Sequence, residues 1–177
     1  LLIHKPKILE LHGDDVRLSP TMYWTSKVKL RRFILKKLSK KTRIYVSTPD
    51  LIPDFPSAYG YLPNPVDLDL FKRSSPFIPN TALFSSNWYE DNSRAKDIAQ
   101  GLNLQLTTIT RNTTNKKICF GNMPAFLEKF EYFIDRNNIP SLSKTALECL
   151  ALGVKVIAGN YTPVLTGYPI LKVLTSA

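Results

Sequence analysis

Pro140-Ser-Leu-Ser-Lys-Thr-Ala-Leu-Glu-Cys-Leu-Ala-Leu-Gly-Val-Lys-Val-Ile-Ala158 reads as a helix followed by a strand, with both boundaries marked. Ser143 is a good N-cap, because its short hydroxyl can accept a first-turn amide, and Lys144 and Thr145 follow it. Ala146, Leu147, Leu150 and Ala151 recur at helical spacing and supply a small apolar inward face. Gly153 stands where a helix commonly ends in the left-handed region. Val154 to Ala158 is a short β-branched run, the pattern of a strand buried on both faces of a parallel sheet.

The same stretch carries candidate chemistry. The start of such a helix offers backbone N–H groups and a positive dipole end at Ser143 to Thr145, a natural seat for a phosphate. Glu148 lies one turn deeper, at i+4 from Lys144. A carboxylate just behind a phosphate seat can accept hydrogen bonds from a ribose diol. A capped helix before a strand occurs throughout α/β domains, however. The spacing alone does not separate a nucleotide site from an ordinary helix start.

Outward from this stretch the chain alternates strand and helix. Lys7 to Leu11 reads as a strand closed by His12-Gly13-Asp14-Asp15, which sets His12 at its carboxyl end. Lys27 to Lys41 reads as a helix, Arg43 to Thr48 and Tyr59 to Leu62 as strands, and Pro49-Asp50 as a short turn or helix. The Pro-rich, polar passage Lys72 to Asn80 reads as a linker. A second series follows: strand Thr81 to Ser85, helix Asn92 to Leu102, strands Leu104 to Ile109 and Lys117 to Phe120. A helix at Pro124 to Phe130 and a strand at Tyr132 to Ile134 complete it. Strands alternating with helices predict parallel sheets with helices on both faces. The expected division is 1–76 and 77–177.

The segment around Glu148 resembles the donor-nucleotide motif of GT-B glycosyltransferases, particularly the large family-four group of retaining enzymes. There a Glu at this position holds the ribose, ahead of a small-x-Gly-x-x-Val-Ile strand. Leu-His-Gly-Asp-Asp-Val-Arg, from Leu11, resembles the family's first domain, where a His after a strand reaches the transferred sugar. Pro63-Asn64-Pro65-Val66-Asp67 is similar to its Pro-Asn-x-Val-Asp loop. The chain departs from the pattern in three places. Pro140 stands at the family's first Glu, Ser141-Leu142-Ser143 at its Gly-Phe-Gly, and Ser85-Ser86-Asn87 at its Gly-Arg.

The resemblance implies a GT-B-like fold of two Rossmann-like domains with an incomplete N-terminal lobe, as a fragment or a reduced relative. It implies a nucleotide diphosphate-sugar donor in the cleft between the domains, a glycan or lipid-linked acceptor, and no metal or other cofactor. Glu148 would hold ribose hydroxyls and His12 would contact the sugar. Ser143, Lys144 and Thr145, with Arg94 and Lys96, would bind the diphosphate. A sugar-nucleotide epimerase shares the fold, but the Pro-Asn-x-Val-Asp loop favours a transferase. A non-catalytic module of the same fold, binding a membrane surface or a protein partner, is the alternative of a different class.

Composition bounds these readings. A chain of 177 residues, 44% hydrophobic and 21% charged, is an ordinary globular one, with no apolar run of membrane-spanning length and no evident signal peptide. Its first residue is Leu1, which suggests that the natural start lies earlier. Two cysteines, Cys119 and Cys149, fit a reducing compartment, and neither has metal-ligand spacing to His4 or His12. Asp67-Leu68-Asp69 mimics a metal motif and is read as loop chemistry.

The net charge of +10 is local: Lys27 to Lys41 hold eight of the 24 Lys and Arg and no acid. Val28, Leu30, Phe33, Ile34, Leu35 and Leu38 would form the broad apolar face of that helix. Three uses fit it: a surface helix packed by its apolar side, an anionic membrane surface, or nucleic acid. The lipid surface ranks above nucleic acid because no aromatic stacking platform accompanies the run. The expected location is cytoplasmic, with peripheral attachment to the inner face of the cell membrane as an option.

Overall fold

Short apolar strands in parallel register build two separate sheets. The computed structural model describes residues 8–12, 26–62, 64–86, 92–110, 118–135 and 141–158, with 26–29, 86 and 110 as backbone only. The chain divides into two units, Leu1–Asn64 and Pro65–Ala177. Both are α/β, with parallel strands and flanking helices, Rossmann-like in general kind.

The first unit contains β1 (Ile8–Leu11), α1 (Ser26–Leu38), β2 (Arg43–Val46), a 3-10 turn (Pro49–Leu51) and β3 (Gly60–Tyr61). Its sheet order is β1-β2-β3, with Ile8 opposite Arg43 and Leu11 opposite Val46. Leu11, Ile44 and Val46 pack with Leu35, Leu51 and Phe55 in one core. The intervening residues take the other sheet face by the period of two.

The broad apolar face expected for α1 is not buried. Leu35 is 7% exposed, whereas Leu30 is 59%, Phe33 56%, Ile34 47% and Leu38 42% exposed. Leu35, with half-buried Arg32 and Ser39, forms the stripe that meets the sheet. Arg32 also donates to the carbonyl oxygen of Asp54. Among the described residues, the three short strands of this unit pack against only this one stripe.

The second unit contains β4 (Ile78–Ser86), α2 (Ser93–Gly101), β5 (Gln105–Thr110), a 3-10 turn (Phe120–Asn122), α3 (Met123–Leu127), β6 (Phe130–Ile134), α4 (Lys144–Ala151) and β7 (Lys155–Ile157). The parallel sheet runs β5-β4-β6-β7. Leu83, Phe133 and Val156 lie in register and pack with Phe71, Leu127, Ala146, Cys149 and Leu152. One residue on, Phe84, Ile134 and Ile157 pack on the other face with Ala95 and Ala99 of α2. The period-two alternation thus clothes both faces with helices, as the near-continuous apolar runs predicted.

α4 ends as the Gly153 signal indicated. Gly153 has φ +71°, its N–H donates to Leu150 O at 2.9 Å, and the Val154 N–H donates to Cys149 O at 2.9 Å. This is the Schellman arrangement. Three local expectations differ. Ile118 and Cys119 are not in a strand, and Phe120 opens a 3-10 turn (Lys117 lies outside the described residues). The helix expected at Pro124 to Phe130 is only Met123–Leu127, because Phe130 and Phe133 are taken up by β6 and the core beside it. The passage 72–80 is bonded rather than loose: Arg73 Nε donates to Leu152 O at 2.7 Å, and Ile78–Asn80 begin β4.

Candidate functional site

The start of α4 sits at the carboxyl end of β6. In an open sheet ordered β5-β4-β6-β7, the connections leave β4 and β6 in opposite directions, and the carboxyl end between those strands is where such sheets bind ligands. Asp135 follows β6 directly and is 4% exposed. Its Oδ2 accepts the Ser143 N–H at 2.9 Å. Ser143 Oγ in turn accepts the Ala146 N–H at 3.0 Å, the capping bond predicted from sequence. The Lys144 and Thr145 amides, in the first turn, have no intrahelical acceptor.

Behind this turn lies Glu148, 5% exposed. Its nearest cation among the described residues is Lys144, whose Nζ stands 4.0 Å from Oε1 and whose side chain is itself 52% exposed. Burial pushes the Glu148 carboxyl above the ordinary carboxylate range, and the Lys144 ammonium draws it back only in part. Lys144 Nζ also lies 5.6 Å from the centre of the Phe120 ring. The Ser141 hydroxyl, 1% exposed, has no hydrogen-bond partner among the described residues. Buried polar groups in folded proteins are almost always paired. Between Ser141 and Glu148 the chain thus carries a weakly compensated acid, a hydroxyl with no partner among the described residues, and two first-turn amides without an intrahelical acceptor.

Cys149 lies against this acid but is no nucleophile. Burial, then the charges of Glu148 and Asp135, push its thiol far up, and it packs in the core.

The other expected residues fall elsewhere. Arg94 and Lys96 are exposed in the first turn of α2, which follows β4. The Ser85-Ser86-Asn87 turn reaches beyond the described residues at Asn87, and Pro140 also lies outside them. His12 is exposed directly after β1 in the first unit, and the Gly13-Asp14-Asp15 turn lies outside the described residues. So does Pro63 of the Pro-Asn-x-Val-Asp loop. Asp67 Oδ1 accepts the N–H groups of Asp69 at 3.1 Å and Leu70 at 3.0 Å, so Asp67 closes a turn. No cluster of three or more His, Cys, Asp or Glu able to hold a metal occurs among the described residues. Nor, among them, is any helix long and apolar enough to cross a membrane.

Sequence reasoning passed over Asp135 as a site residue. Its signal was an acid immediately after an apolar strand and ahead of a capped helix. Compared with protein-family models and with curated proteins, the chain matches none.

Proposed function

We propose that the second unit binds a nucleoside diphosphate, and that the chain is a GT-B-like, retaining glycosyltransferase-type protein using a nucleotide-sugar donor. Glu148 carries this reading: it is a carboxylate with 5% exposure whose only close counter-charge among the described residues stands 4.0 Å away, set behind a helix start at a sheet's carboxyl end. A ribose diol would supply the donors that Glu148 lacks. Ser143 is occupied by Asp135 and Ala146, so the diphosphate would fall to the Lys144 and Thr145 amides, the Thr145 hydroxyl and the Lys144 ammonium. A cation at a departing diphosphate stabilises charge that grows in the transition state, so Lys144 would act on turnover. His12 would contact the sugar, Arg94 and Lys96 would add positive charge, and the acceptor would be a glycan or a lipid-linked acceptor. Titration calorimetry with uridine, guanosine and adenosine diphosphates tests this. Glu148→Ala should weaken the preferred nucleotide by about 1.5–3 kcal/mol, the range for hydrogen bonds to charged groups. Equal affinity in parent and variant removes Glu148 from the site.

A second reading concerns the first unit: α1 lies on an anionic membrane surface, at the inner face of the cell membrane. Its specific support is the exposed set Leu30, Phe33, Ile34 and Leu38 among Arg31, Lys36, Lys37, Lys40 and Lys41. Apolar residues bordered by cations suit an interface where tails and acidic headgroups meet. Flotation with anionic vesicles at low salt is expected to carry the protein. Flotation unchanged by Phe33→Ser with Ile34→Ser would remove α1 from the contact.

A further inference from the structure

The amino end of the first sheet, opposite the end that bears His12, holds a cavity of about 330 Å³. Its lining includes Lys40, Lys41, Thr42, Arg43, Ser57 and Tyr59. That volume lies at the small end of the range for ligand pockets. We infer that this cavity is a binding site for a phosphate-bearing anion, held by Lys40, Lys41 and Arg43 with the Ser57 hydroxyl.

Three observations converge on that chemistry. Among the described residues, no carboxylate forms an ion pair with Lys40, Lys41 or Arg43. Three of the last four carbonyls of α1 are satisfied without these cations' side chains, that of Lys36 by the Ser39 hydroxyl at 2.9 Å. Leu35 O accepts from Ser39 N at 2.9 Å, and Leu38 O accepts from Lys41 N at 2.8 Å and Thr42 N at 2.9 Å.

The walls are also fixed in advance. Tyr59 N–H donates to Ile44 O at 2.6 Å and Ala58 N–H to Phe55 O at 2.9 Å, which ties the 57–59 segment to the start of β2. The Arg43 guanidinium lies 5.1 Å from the Tyr59 ring centre, and that ring meets Tyr45 edge-on at 5.4 Å. An arginine stacked on an aromatic ring loses little freedom when it takes a phosphate in its fork. Three like charges around one hollow repel one another, and a multiply charged anion reverses the sign of that interaction.

The anion is either free in solution or the headgroup of a lipid, and the two are told apart by probe. Calorimetry of the full chain with inorganic pyrophosphate at low salt addresses the first, and flotation with phosphatidylcholine vesicles containing phosphatidic acid the second. Lys41→Ala with Arg43→Ala, and separately Ser57→Asp, should weaken whichever probe the parent binds by about tenfold or more. Lys72→Ala with Lys129→Ala removes the same charge from exposed positions of the second unit and should leave binding within about threefold. Lys144→Ala should remove only pyrophosphate held at the start of α4 and leave the share lost with Lys41 and Arg43, which separates this site from the nucleotide reading. Pyrophosphate binding lost only in the cavity variants assigns a soluble anion, and flotation lost only in them assigns a headgroup. The inference is overturned if the parent binds neither probe, or if the Lys72 and Lys129 pair loses as much as the cavity variants.

Discussion

The Asp135 carboxylate accepts the Ser143 N–H at 2.9 Å, joining the carboxyl end of β6 to the residue that caps α4. A buried acid of the chain itself therefore stands at the positive end of the helix proposed to seat a diphosphate. It stabilises the fold and competes with an incoming anion. Asp135→Asn keeps the shape and removes the charge. Urea unfolding should show a loss of about 1–2 kcal/mol, while any diphosphate affinity rises. A variant with lower stability and unchanged or weaker diphosphate binding would separate Asp135 from the seat.

Glu148 carries a stability signature of opposite sign to its proposed use. Its folded carboxyl is raised by burial, so the folded state prefers the proton. The associated stability is full below the ordinary carboxylate range and is lost as pH rises through the raised folded value. Glu148→Gln should make the ligand-free protein more stable at pH 7 and flatten stability against pH, while weakening nucleotide binding. Thermal unfolding from pH 4 to pH 8 checks it.

Glu128 behaves in the reverse manner. Its carboxylate accepts Ser74 N at 2.7 Å, Ser74 Oγ at 2.8 Å and Ser75 N at 3.1 Å, holding the 73–75 segment onto the second unit. The Ser74 amide is the largest of the influences that hold its carboxyl below the ordinary range. A depressed folded value contributes stability above the ordinary carboxylate range and loses it as pH falls through that depressed value. Glu128→Ala should cost about 1.5–3 kcal/mol at pH 7. The gap from the parent should narrow in acid-unfolding curves.

Leu35 and Phe33 are two residues apart on α1 and differ eightfold in exposure, 7% against 56%. Leu35→Ala should cost about 2–5 kcal/mol, as for a buried leucine. Phe33→Ser should stay within about 0.5 kcal/mol. Chemical denaturation of the two variants reads the register of α1 directly.

The element types were largely legible because the period of the side chains carries them. Alternation of two and recurrence near 3.6 mark the same residues whatever lies around them. Ser143 as cap and Gly153 as left-handed terminus were legible for the same reason, since each acts on backbone within a few residues. Short elements beside aromatics were less so. Phe130 suits a helix or a strand, and only its place beside β4 in the sheet assigned it to β6.

The burial of Glu148 and the exposure of Phe33 could not be read from spacing. Both depend on how much surface distant segments bring against a helix. The sequence by itself determined parallel α/β units, a capped α4 with an acid one turn inside it, and a dense block of cations before β2. Tertiary structure alone decided that Asp135 meets Ser143 and that Leu35 is the face of α1 turned inward. It also decided that Lys41, Arg43 and Ser57 share one hollow. Backbone preference acts over a few neighbouring residues, whereas desolvation and charge pairing depend on what the fold brings together across tens of them.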